Sequence, residues 1–170
     1  MIELIVLDVD GTLTNGKIIY SSSKDNPNEI FESKSFDVKD GMAIASWTKK
    51  YNKKVAIITG RTSKIVEIRA KELGITHLHQ GVDNKDEIIE NILKSENLSW
   101  DNVAAIGDDL NDYKMLKKVG LSFTLSDAVD DIKSIADVVC TKKGGDGAVR
   151  EMIEYILDKY YNKKLRDLWV

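Results

Sequence analysis

The chain has 170 residues, with 28 Asp and Glu against 25 Lys and Arg and a net charge of −3. That length suits a single domain, residues 1–170, and the mild acidity with dispersed basic residues excludes both disorder and a nucleic-acid footprint. One cysteine, no apolar run of membrane-spanning length and no basic start before an apolar segment lead to the expectation of a soluble, cytoplasmic protein without membrane or nucleic-acid partners.

The first stretch, Met1 to Thr14, organises the rest of the chain. An apolar run from Ile2 to Leu7, broken by Glu3, is long enough for a buried strand and short for a helix. It ends in Asp8-Val-Asp10-Gly11-Thr12, where Gly11 permits a sharp turn. Two carboxylates this close ask for a metal ion or a shared proton. A calcium loop is excluded by counting from Asp8, because the sixth position holds Leu13 where Gly is needed and the twelfth holds Ile19 where Glu is needed.

Lys17 to Tyr20 predicts a short strand, Ser21 to Glu29 with the lone Pro27 a loop, and Ile30 to Phe36 a returning strand. Together they make a protruding β-hairpin, about residues 17–37, closed by Asp37-Val-Lys-Asp40-Gly41. Met42 to Tyr51 has helical spacing. Lys54 to Ile58 is a second strand running into Thr59-Gly60-Arg61, and Ser63 to Leu73 a helix stopped by Gly74. Ile75 to Gln80 reads as a strand whose His77 and His79 share a face. Zinc needs more ligands than lie nearby, so both histidines are read as structural. A helix opens at Asn84-Lys85 with acids in its first turn and runs through Leu93. Val103 to Ile106 is a strand leading into Gly107-Asp108-Asp109, followed by a helix from about Asn111 to Val119. Leu121 to Leu125 and Asp137 to Thr141 are further strands, the latter holding Cys140 as a buried, inert thiol. Gly144-Gly-Asp-Gly147 precedes a last helix, Ala148 to about Tyr161, and a tail to residue 170.

Strands alternating with helices imply an α/β fold built on a parallel sheet, with its site outside the carboxyl ends of the strands. Asp8, Asp10, Thr59 and Asp108 fall there, and Lys85 opens the helix after a strand. Oxygen ligands suit Mg2+, which bridges carboxylates to phosphate. A carboxylate is a competent nucleophile toward phosphorus once cations screen the repulsion, and a second carboxylate can protonate the leaving alcohol and then activate water. Thr59 and backbone N–H groups can hold the remaining phosphate oxygens.

Asp8-x-Asp10-Gly-Thr, Ile-Ile-Thr59-Gly60, Lys85 and Gly107-Asp108-Asp109-x-x-Asp112 resemble the four signatures of the haloacid dehalogenase superfamily of phosphotransferases. Phe36-Asp37-Val-Lys-Asp40-Gly41, Ile58-Thr-Gly-Arg61, Leu73-Gly-Ile-Thr-His77-Leu and Gly144-Gly-x-Gly-Ala-Val-Arg150-Glu151 resemble the 3-deoxy-D-manno-octulosonate 8-phosphate (KDO 8-phosphate) phosphatase family, over nearly the whole chain. The resemblance implies a Rossmann-like fold without an inserted cap domain, Mg2+ as cofactor, a homotetramer, and hydrolysis of a sugar-acid phosphate in lipopolysaccharide precursor synthesis. It makes Asp8 the nucleophile and a metal ligand, and Asp10 the general acid and base with its main-chain carbonyl on the metal. Thr59 and Lys85 would hold the phosphoryl group, Asp108 would bind the metal, and Asp109 and Asp112 would support it. Gly60, Arg61, Arg69, Asp37, Asp40 and Gly41 are candidates for substrate binding, with Arg61 or Arg69 as clamp for a carboxylate. Two alternatives stay open: a phosphatase of nine-carbon sialic-type or other sugar phosphates, and a non-catalytic oligomeric partner of a biosynthetic enzyme.

Overall fold

The computed structural model describes residues 1–170. β1 (Leu4–Leu7) is followed by β2 (Ile19–Ser22) and β3 (Ile30–Ser33), which pair only with each other as an antiparallel hairpin. Then come α1 (Val38–Lys49), β4 (Lys54–Ile58), α2 (Lys64–Leu73), β5 (His77–His79), α3 (Lys85–Glu96) and β6 (Val103–Ile106). The last third holds α4 (Tyr113–Lys118), β7 (Leu121–Thr124), the short α5 (Asp130–Lys133), β8 (Val138–Val139) and α6 (Ala148–Tyr161). The six remaining strands form one parallel sheet in the order β5-β4-β1-β6-β7-β8. No helix is long and apolar enough to cross a membrane.

All four β1 residues are buried, because helices cover both faces of the sheet and leave no polar side for alternation. Ile5 and Leu7 join one core cluster with residues of α1, α2 and α6. Leu4 and Val6 join the other, with residues of α3, α4 and Ile132 of α5. Trp47 anchors the first layer. It is fully buried, meets the Tyr161 ring edge-on at 6.0 Å, and donates its indole N–H to the Lys54 carbonyl at 3.1 Å.

Several boundaries differ from the sequence pattern, each for a local reason. The hairpin's first strand lies at 19–22 rather than 17–20, and its second ends at Ser33, with Phe36 making one isolated bridge to Thr14. α1 begins at Val38, four residues before its first apolar pair suggests, because the Asp37 carboxylate accepts from the Lys39 N–H at 2.6 Å and caps the helix there. Residues 110–112 form a tight 3₁₀ turn ahead of a shorter α4. Asp109 and Asp112 cap each other across that turn. The short α5 has no periodic signal in the sequence. The strand expected over 137–141 is reduced to two residues at the sheet edge.

Candidate active site

At the carboxyl end of β1 the chain enters a turn through Gly11, which has φ +95°. A Cβ at Gly11 would lie 2.0 Å from Asp108 Oδ2, so the turn and the loop after β6 can approach only through a glycine. Thr12 Oγ1 donates to Asp108 Oδ1 at 3.2 Å. A second loop presses on the same turn. A Cβ at Gly144 would lie 1.8 Å from the Gly11 carbonyl oxygen, and the Gly145 N–H donates to the Thr12 carbonyl at 3.0 Å.

Lys85, the first residue of α3, carries a buried ammonium that donates to Asp8 Oδ1 and to Asp112 Oδ1, each at 2.6 Å. Asp112 is fixed in turn by the Asp108 N–H, which donates to its Oδ2 at 3.1 Å. Carboxylate oxygens of Asp8, Asp108 and Asp112 lie within 4.8 Å of one another. Thr59, at the end of β4, is buried beside β1, and Gly60 follows it at the surface.

One ammonium, bound to two of the three carboxylates, leaves the cluster short of positive charge. Burial and then the Asp112 charge push the Asp8 carboxyl upward against the pull of Lys85. Burial and then Asp112 push Asp108 up to about 6. Lys85 itself is held above its ordinary value: burial works against its charge, but Asp8 and Asp112 outweigh burial. A hard dication meets this need, and the all-oxygen donor set of Asp8 and Asp108 fits Mg2+. Asp112 commits one oxygen to Lys85 and the other to a backbone N–H, so it orients the lysine. Asp109 is exposed and caps the 3₁₀ turn that presents Asp112.

Asp10, two residues on, is only partly covered. Arg61 lies with Nε 3.8 Å from Asp10 Oδ2 and donates through Nη2 to Glu32 at 2.8 Å. Lys34, from the hairpin, is hydrogen-bonded to Asp10 Oδ1. Glu32 and Lys34 carry no local signal in the sequence. They sit among serines on a hairpin, and only the fold brings them to Asp10.

Four candidates gather elsewhere. Asp37 is the cap of α1, and Gly41 lies in that helix against the Arg69 guanidinium. Arg69 sits over the Phe36 ring at 5.6 Å and donates to Glu72 at 3.2 Å, so its charge is engaged away from Asp8 and Asp10. Asp40 is 1% exposed, with one oxygen accepting from the Arg150 N–H at 2.8 Å and the other from the Gly147 N–H at 3.3 Å. Both oxygens of this substrate-binding candidate are thus engaged by backbone within the fold. Gly147 offers no side chain to cap α6, and Asp40 supplies the cap from another helix. The Gly144–Gly147 loop is thereby tied to α1 at one end and to the turn after β1 at the other.

A parallel sheet with a paired-aspartate turn, a buried lysine and a third carboxylate at its carboxyl edge defines a phosphate-ester hydrolase of the haloacid dehalogenase kind. The model of the haloacid dehalogenase-like hydrolases matches residues 19–153, and the chain belongs to that family. The 3-deoxy-D-manno-octulosonate 8-phosphate phosphatase KdsC of Escherichia coli (strain K12) is 43% identical over 156 residues, 92% of this chain and 79% of its own. The enzyme of the same name from Moraxella catarrhalis, solved with magnesium ion, phosphate ion and KDO, is 38% identical with a TM-score of 0.86, over 95% of this chain and 88% of that one. The cobalt-bound deoxy-D-mannose-octulosonate 8-phosphate phosphatase of Haemophilus influenzae is 33% identical with a TM-score of 0.82, over 92% of this chain and 88% of that one. Within the superfamily, the chain belongs with the KDO 8-phosphate phosphatases.

Proposed function

We propose that the protein hydrolyses KDO 8-phosphate to KDO and phosphate through an aspartyl-phosphate on Asp8, with Mg2+ as cofactor. The observation that carries this reading is the buried Asp8–Lys85–Asp112 contact beside Asp108, at the mouth of β1. Bound between Asp8 and Asp108, the metal would neutralise charge on the transferring phosphoryl group. Asp8 attacks phosphorus, the bond from phosphorus to the sugar oxygen breaks, and Asp10 gives its proton to that oxygen. Asp10 then takes a proton from water as the water oxygen attacks phosphorus, and Asp8 is released. Lys85 and Thr59 hold the phosphoryl oxygens, and Asp112 keeps Lys85 aimed. Arg61, at the Asp10 side of the site and partly exposed, is the residue placed to meet the sugar acid.

The hairpin exposes Ile18, Ile19, Tyr20, Ile30 and Phe31, each at least 45% accessible. An apolar surface of this kind supports assembly into the homotetramer, with the hairpin as a contact between copies. Phosphate release from KDO 8-phosphate, with and without Mg2+, beside a sialic acid 9-phosphate and common sugar phosphates, tests the reading. Mg2+-dependent turnover preferring the first is expected, and Asp8→Asn removes it while leaving the fold intact. Faster turnover of another sugar phosphate overturns the substrate, and wild-type-like activity in Asp8→Asn overturns the covalent route.

A further inference from the structure

Lys34, the residue after β3, turns back from the hairpin onto the catalytic turn. Its side chain is 4% exposed, although Ser33 and Ser35 on either side of it face solvent. The ammonium touches Asp10 Oδ1 and lies 3.5 Å from Glu32 Oε1. Glu32 links it to the other cation at the site, accepting from Arg61 Nη2 at 2.8 Å on Oε1 and from Ser63 Oγ at 2.8 Å on Oε2. Ser63 first, and then the neighbouring cations, hold the Glu32 carboxyl below its ordinary value, so it stays a fixed anion between them. Asp10 is thus bracketed unequally. Oδ1 is bound by Lys34, whereas Oδ2 faces Arg61 Nε across 3.8 Å. That Nε is a buried polar atom with no hydrogen-bond partner in the protein.

Burying a lysine ammonium costs desolvation and side-chain entropy that anchoring a surface hairpin does not require. We infer that Lys34 is a positioning residue for Asp10: by holding Oδ1 it turns Oδ2 toward the bridging oxygen of the phosphate ester. The inference rests on Asp10 being the general acid and base. In the first step the bond between phosphorus and the ester oxygen breaks, and the proton on Oδ2 passes to the departing alkoxide. In the second, Oδ2 takes a proton from the attacking water. Lys34 touches neither phosphorus nor metal, and no proton passes through it.

A purely structural Lys34 would anchor the hairpin and affect every substrate alike. Up to the aspartyl-phosphate, a positioning Lys34 matters only where the leaving group needs a proton; its effect on the second step is common to all substrates and falls outside kcat/KM. Lys34→Met, Lys34→Arg and Asp10→Asn would each be assayed at saturating Mg2+ on KDO 8-phosphate, whose alkoxide needs protonation, and on p-nitrophenyl phosphate, whose phenolate leaves without it. The ratio kcat/KM reports steps up to the aspartyl-phosphate, where that proton is delivered. For Lys34→Met, a loss of about 10- to 100-fold on the sugar phosphate is expected, with less than about 3-fold on the aryl ester. Lys34→Arg should recover most of the loss, and calorimetric Mg2+ affinity should stay within about 2-fold, since the side chain of Asp10 is not a metal ligand in this reading. Equal losses on both esters, or no loss on either while Asp10→Asn loses sugar-phosphate turnover, overturn the role of Lys34 alone. Full sugar-phosphate turnover in Asp10→Asn would instead remove the acid itself, and the inference with it.

Discussion

Replacing Asp40 by Asn exchanges a buried carboxylate for a neutral side chain of the same shape, with two effects of opposite sign. Burial first, with Asp37 also contributing, pushes the Asp40 carboxyl up to about 6 from 3.8, against the two backbone N–H groups that favour its charge. Because the folded value lies above the unfolded one, protonation of Asp40 favours the folded state. Its contribution is complete below about pH 4 and is lost as pH rises through about 6. A shift of this size is worth about 3 kcal/mol in full, of which about 1 to 2 kcal/mol falls between pH 8 and pH 5. Asn removes the charged form, but its amide can accept only one of the two N–H groups, and the unmet donor at the start of α6 costs about 1–3 kcal/mol. The two proteins should therefore be close in stability at pH 8. The wild type should gain about 1 to 2 kcal/mol over the variant by pH 5. Urea unfolding of both proteins at steps from pH 5 to pH 8 measures this, and groups titrating identically in both cancel in the difference. A stability difference that is flat across the range would refute the placement of a buried, upshifted carboxylate under α6.

Gly11→Ala places a Cβ within 2.0 Å of Asp108 Oδ2 at a φ of +95°, so Asp108 must move. Mg2+ affinity by calorimetry should fall at least about 10-fold, with about 1–3 kcal/mol of strain in urea unfolding, and unchanged affinity would contradict the geometry. Lys85→Met leaves Asp8 and Asp112 without their shared cation. Without metal, stability should fall by about 3–5 kcal/mol, and saturating Mg2+ should restore much of it while turnover stays lost. Equal destabilisation with and without Mg2+ would show that the cluster is not the metal's seat.

Strand and helix alternation makes the sheet readable from sequence, because a doubly covered parallel sheet writes itself as short apolar runs such as Leu4–Leu7 and Val103–Ile106. The residues at the strand ends are readable for the same reason, as each comes after a run whose end is marked by Gly or Thr. Interaction across long sequence separations leaves no such mark. Asp40 looks like a turn residue beside Gly41, and nothing nearby says that its partners are the N–H groups of Gly147 and Arg150. Lys34 is one polar residue of an alternating strand, and nothing in its neighbourhood names its partner Asp10, 24 positions earlier. The end of the Asp109–Asp112 turn reads as helix because capping by two carboxylates looks, in sequence, like the acidic first turn of an ordinary one.

The position of β1 in the sheet also sets a timetable for assembly. Its neighbours are registered Leu4 with Lys54 on one side and Leu4 with Val103 on the other, so β1, made before either of them, is flanked only after two long stretches of chain have been made. Until then Asp8 and Asp10 stay hydrated, and the repulsion between them opposes any early collapse around them. Lys85 arrives before Asp112, so the ammonium that meets Asp8 gains its second carboxylate only when the loop after β6 has been made. Distant pairings of this sort slow the closing of the sheet and leave edges open to wrong partners meanwhile. Synthesis truncated before residue 103 should therefore yield a chain whose central strand lacks one neighbour and whose α1 lacks α6 to pack on, a natural substrate for chaperones and proteases.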